Sequence, residues 1–144
     1  MTTALYETDF YQWTVKQAEL LRGEDYAELD IDNLIEEIES MGRSDRREVG
    51  SRLTPMMEHM LKLVHEPKSR AKNGWKRTIA TQRIELAKLL RDNYTLRSQI
   101  ADFIEDAYPD ARQLAAVGLD CSVVVFPVAC PWTAGQLQNI EWLP

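Results

Sequence analysis

Apolar residues recur every three or four positions along most of this chain, the spacing of helices with one buried face. Phe10, Trp13, Leu20 and Leu21, with Gln17 on the same side, predict a first helix. Thr8 or Asp9 is its expected cap, with Gln12 placed to reach back and Gly23 to end it. After a polar turn, Asp32 or Asn33 is the expected cap of a short second helix whose face is Leu34, Ile35, Ile38 and Met41. Gly42 reads as its stop. Ser44 then opens a third helix with Val49, Leu53, Met56, Met57, Met60, Leu61 and Val64 on one side. Pro55 lies inside that run, where it removes a backbone donor and crowds the preceding turn, so a kink is expected. Pro67 closes the helix by pushing Glu66 out of helical geometry.

A basic loop, Lys68 to Gly74, precedes a fourth helix capped by Asn73, with Trp75, Ile79, Leu86, Leu89 and Leu90 on its apolar side and its end near Asn93. Thr95 is the expected cap of a fifth, in which Leu96, Ile100, Phe103, Ile104, Ala107, Ala111 and Leu114 keep the period. Pro109 predicts a second kink, and Gly118 the end. The run Val123 to Phe126 is β-branched, but nothing else in the chain offers it a sheet. An extended segment packed across the helices is expected there, with a last helical turn from Pro131, Trp132 and Thr133 to Gln138. The pattern therefore predicts an all-α fold: an antiparallel bundle of four long helices and one short one, carrying an extended C-terminal tail. Residues 1–144 read as one domain, with 119–144 largely non-helical.

Composition agrees with a globular chain. Of 144 residues, 44% are hydrophobic and 28% charged, ordinary for a domain that buries a core. Met1 to Leu21 lacks the basic start and apolar run of a secretory leader. The longest apolar stretch, Val123 to Cys130, is interrupted by Pro127 and falls far short of the ~20 residues that span a bilayer. Cys121 and Cys130 match neither a CxxC redox pair nor a zinc knuckle, so reduced thiols and a cytoplasmic location are expected.

The net charge of −6 conceals a segregation. Residues 1–41 carry eleven acids and two bases, 42–97 six acids and fourteen bases, and 98–144 six acids and one base. Opposite charge on antiparallel neighbours favours one topology through complementary fields. The same segregation offers a basic surface to an anionic partner.

Candidate chemistry is sparse. Glu36, Glu37 and Glu39 flank the apolar stripe of the second helix, and Arg43, Arg46, Arg47 and Arg52 follow at once. Glu36, Glu37, Glu39, Arg43 and Arg47 are expected to form a structural polar layer, each exposed pair contributing roughly 0–1 kcal/mol. His59, near the edge of the third helix's stripe, is the candidate catalytic side chain, with Glu37 or Glu39 from the preceding helix as its partner in a dyad or a two-ligand metal site. Di-iron bundles use Glu-x-x-His pairs, whereas Met56 precedes His59 by three and Lys62 precedes His65 by three. A catalytic zinc takes three protein ligands, and this chain has two histidines. No metal and no cofactor are expected. There is no G-x-S-x-G elbow, and neither cysteine opens a helix.

Lys68, Arg70, Lys72, Lys76 and Arg77 form a run without an acid, with Trp75 inside it and Arg83 two turns on. This is the candidate partner-binding surface. Phosphates need such patches and an aromatic can stack on a base, but Trp75 fits the helical stripe and the acidic flanks oppose nucleic acid. The reading that follows is a non-enzymatic protein-interaction module with a charge-segregated surface, binding a protein partner or another copy. Alternatives are a small enzyme or metal-binding bundle on His59 with Glu37 or Glu39, and a nucleic-acid binder through Lys68–Arg83.

The run Asn33-Leu34-Ile35-Glu36-Glu37-Ile38-Glu39, followed by Gly42, Arg43, Ser44, Arg47 and Leu53, resembles the signature of a bacterial family catalogued as domain of unknown function 29, found in cyanobacteria and proteobacteria. Asp9-Phe10-Tyr11-Gln12-Trp13, Trp75 with Thr78-Ile79 and Gln82-Arg83, and Cys130-Pro131-Trp132-Thr133 extend the resemblance over nearly the whole chain. It implies a small helical protein of a bacterial cytoplasm and carries over no catalytic residue. His59 stands where the resemblance implies a histidine before a Leu-rich turn. Val64 and His65 stand where it implies an aromatic.

Overall fold

The chain's longest element is one unbroken helix where the apolar pattern predicts two. The computed structural model describes residues 2–144, without the side chains of residues 2 and 3. Its helices are α1 (Thr2–Thr8), α2 (Phe10–Arg22), α3 (Ile31–His65), α4 (Lys72–Arg91), α5 (Tyr94–Ser98), α6 (Ile100–Leu119) and α7 (Ala134–Gln138), with 3₁₀ turns at Tyr26–Glu28 and Val123–Val125. The fold is all-α, with no strand among the described residues.

The expected second and third helices are successive turns of α3. Gly42 does not stop it, because a glycine ends a helix when it takes left-handed geometry, and no glycine among the described residues has positive φ. Ser44 is accordingly a helical residue and not a cap. α3 also runs on through Pro55. Other boundaries differ from expectation by a few residues. Asp9 does cap α2, accepting from the Gln12 amide at 3.1 Å. α3 begins at Ile31, one residue before the expected caps, and α4 begins at Lys72 with no side-chain cap. Thr95 lies inside α5, and the chain breaks at Gln99 before α6. α6 passes Gly118, and Asp120, at φ 52° and ψ 51°, makes the left-handed turn expected of a glycine.

The chain divides into two compact units, Met1–Ser44 and Asp45–Pro144. In the first, Tyr6, Phe10 and Trp13 cluster across the α1–α2 junction, with the Tyr6 and Trp13 ring centres 4.8 Å apart. Trp13, Gln17 and Leu20 are its buried side chains from α2.

In the second unit, Arg52 donates to Gln82, and Asp45 and Asp92 border one groove, so α3 and α4 run antiparallel. Arg46 lies over the Phe103 ring and Lys62 beside Gly118, so α6 runs with α3 and against α4. Val49, Leu53, Met56, Met57 and Met60 from α3, Ile79 and Leu86 from α4, and Ala111 and Ala115 from α6 are at most 1% exposed and form the core. The alanines let α6 approach closely, and the unbranched methionines fill the irregular space between helices.

The tail packs on this unit as a non-strand segment, as its isolated β-branched run implies. Phe126 and Leu137 enter the core. Thr133 and Gln136 form a reciprocal capping box that starts α7, satisfying amide donors that a helix start would leave open.

Candidate functional site

In the N-terminal unit, polar side chains converge on the start of α3. The Asp30 carboxylate accepts from Trp13 Nε1 at 3.0 Å and Asn33 Nδ2 at 2.8 Å, while the Asp30 amide donates to Gln17 Oε1 at 2.8 Å. Tyr6 donates to Glu37 at 2.5 Å. That bond to a carboxylate, joined by desolvation and the nearby charges of Glu37, Glu36 and Glu7, pushes the Tyr6 phenol up to about 12. These contacts fix α1 and α2 on one side of α3's opening turns.

The apolar stripe of those turns is left outside. Ile31 and Ile35 are about half exposed, at 50% and 49%, and Ile38 and Met41 are 62% and 63% exposed. Leu34 is half-buried. Glu36 and Glu39 flank the stripe and pair with Arg43 at 2.8 and 3.7 Å. All three groups are exposed, so these pairs add little stability. Arg47 lies on a groove of the C-terminal unit.

His59, Glu37 and Glu39 each have their own neighbours. His59 Nδ1 lies 2.7 Å from the Pro55 carbonyl, Glu37 takes the Tyr6 hydroxyl, and Glu39 faces Arg43. The ring nitrogen beside that carbonyl is therefore the protonated one, because a carbonyl only accepts. Beside His59 is a half-buried ion pair, Lys62 with Glu58 at 2.8 Å. Among the described residues no group of three or more His, Cys, Asp or Glu is placed to hold a metal ion.

Two open grooves line α6. One, about 590 Å³, runs between α3 and α6 past Arg47, Ser51, Pro55, Phe103, Asp106 and Asp110. The other, about 710 Å³, lies between α6 and the tail, past Ile104, Tyr108, Pro109, Cys130 and Trp132. Each contains a helix-interior proline, which deprives the carbonyl four residues earlier of its donor. Burial pushes the Cys130 thiol up, with the bond from its sulfur to the Trp132 carbonyl opposing, so it is not an activated thiolate.

The basic run is split by the structure. Lys68, Arg70, Lys72, Lys76 and Arg77 are exposed and form no ion pair among the described residues. Arg83 does not belong with them. It is 4% exposed, and donates through Nε to the Leu137 carbonyl at 2.7 Å, through Nη1 to Trp142 at 2.7 Å and through Nη2 to Gln136 at 3.0 Å. Its position explains this: Ile79, Arg83, Leu86 and Leu90 recur at helical spacing on the buried face of α4. That spacing was the available signal. Two further side chains hold the tail by its backbone. Tyr108 donates to the Pro127 carbonyl at 2.7 Å, and Arg112 reaches Phe126 through Nε at 3.2 Å and Nη2 at 3.0 Å.

Fold and surfaces together define an all-α protein with an exposed apolar stripe among acids and a separate exposed cluster of cations. The chain belongs to the family described as Domain of unknown function DUF29, whose sequence model matches residues 5–143. No curated protein and no solved structure matches it. Among the described residues, no helix is long and apolar enough to cross a membrane.

Proposed function

We propose that this chain is a non-enzymatic protein-interaction module with a charge-segregated surface. The observation that carries the reading is the exposed stripe Ile31, Ile35, Ile38 and Met41. A helix leaves a regular apolar face to water at a cost of about 25 cal/mol for each Å², and contiguous exposed apolar surface marks interaction sites. The exposed cations Lys68, Arg70, Lys72, Lys76 and Arg77 supply a second, oppositely charged contact surface.

The enzymatic alternative on His59 finds less support. Its Nδ1 is engaged with a backbone carbonyl, and Glu37 and Glu39 have other neighbours. Crosslinking of the full-length chain in the cells that make it, with light scattering of the purified protein, tests the interaction reading. A discrete crosslinked complex that Ile38→Glu abolishes is the expected result. An uncrosslinked monomer at every concentration would overturn it.

A further inference from the structure

The residues around the α3 stripe indicate what covers it. We infer that the face of Ile31, Ile35, Ile38 and Met41 docks an amphipathic helix of a protein partner, one whose own apolar stripe is bordered by lysines or arginines. This rests on the interaction reading above and specifies the partner's chemistry.

The face spans about three helical turns, roughly 15 Å at 1.5 Å per residue, so a helix of similar length covers it. A partner helix presents its anchors at the same period of three and four residues, the mode in which a helix is recognised by an apolar face. Charge then selects among partners. Asp32, Glu36 and Glu39 are exposed on the same turns. Residues 1–44 carry eleven acids against Lys16, Arg22 and Arg43, and Arg43 is already shared by Glu36 and Glu39. A cationic helix meets complementary potential on approach and in register. A second copy of this face would set acids against acids, and nucleic acid would be repelled for the same reason.

A photoreactive benzoylphenylalanine placed at position 38 of the full-length chain, and in a second variant at position 72, tests this in the cells that make the protein. Position 38 is expected to capture a segment with apolar residues at helical spacing and flanking lysines or arginines. A synthetic peptide of that segment should bind the purified chain more tightly as salt is lowered. It should lose at least tenfold in affinity when Ile38→Ser and Met41→Ser are introduced, with thermal melting unchanged. Capture of an acidic or non-helical segment, or of the chain's own peptide, would overturn the inference. Crosslinks at position 72 alone would overturn this face while sparing the interaction reading. Crosslinks at neither position would overturn both.

Discussion

Trp13 donates its indole N–H to the Asp30 carboxylate at 3.0 Å, which ties α2 to the residue that precedes α3. Because both side chains are buried, Asp30→Ala leaves the indole N–H without an acceptor, a loss of about 1–3 kcal/mol. Hydrogen exchange should quicken among residues 1–44 and stay unchanged in the bundle of residues 45–144. Uniform quickening along the whole chain would contradict this assignment.

Gly42 separates two accounts of α3. Within an unbroken helix, and with nothing within 4 Å of an added Cβ, Gly42→Ala is expected to stabilise the protein by roughly 0.5–1 kcal/mol, since alanine loses less backbone freedom on folding. Were Gly42 a left-handed helix stop, the same change would destabilise. Urea unfolding gives the sign directly.

Arg83 is expected to be among the least replaceable side chains of the C-terminal unit. Arg83→Lys keeps the charge but cannot fork to three carbonyls, and Arg83→Ala deprives all three of this donor, the Leu137 carbonyl in a buried setting. Losses of about 2 kcal/mol for lysine and 3 kcal/mol or more for alanine are expected. Limited proteolysis should show the chain beyond Asp120 becoming cleavable before the helices do. A tail equally protected in Arg83→Ala would refute its role as an anchor.

The Tyr6 phenol sets an alkaline limit. Its pKa in the folded chain, about 12, lies above the ordinary 10.0, so the folded state holds the proton more tightly than the unfolded one. The stabilisation is complete below pH 10 and is lost as pH rises from 10 towards 12. Tyr6→Phe should remove this part of the alkaline loss. Tyr108, raised by burial, contributes in the same direction, so the double replacement with Tyr108→Phe should flatten the profile further. Tyrosinate absorbance, followed alongside denaturation, measures both.

The all-α class was readable because it depends on the period of the apolar residues, which the chain states repeatedly. The fusion of two predicted helices was not, because Gly42 is compatible with either a stop or a helical interior. The same ambiguity sets His59 opposite Glu37 and Glu39 in the sequence alone, since a break at Gly42 turns one helix into two that could pack. Ile35, Ile38 and Met41 read as core from their spacing, since periodicity identifies a face without saying what covers it. Arg83 reads as a surface cation by its charge, although its register places it on the stripe of Ile79 and Leu86. Charge type and helical position conflicted there, and position prevailed because the tail brought carbonyls to meet the guanidinium.

The way the tail is held has a consequence for the conditions it withstands. Arg83, Tyr108 and Arg112 grip main-chain carbonyls of Phe126, Pro127, Gln136, Leu137 and Trp142, and no carboxylate takes part in these bonds. A carbonyl does not titrate, and a contact without an opposing ion is little weakened by counterions. The C-terminal segment is thus fastened by a tether that acid and salt leave closed.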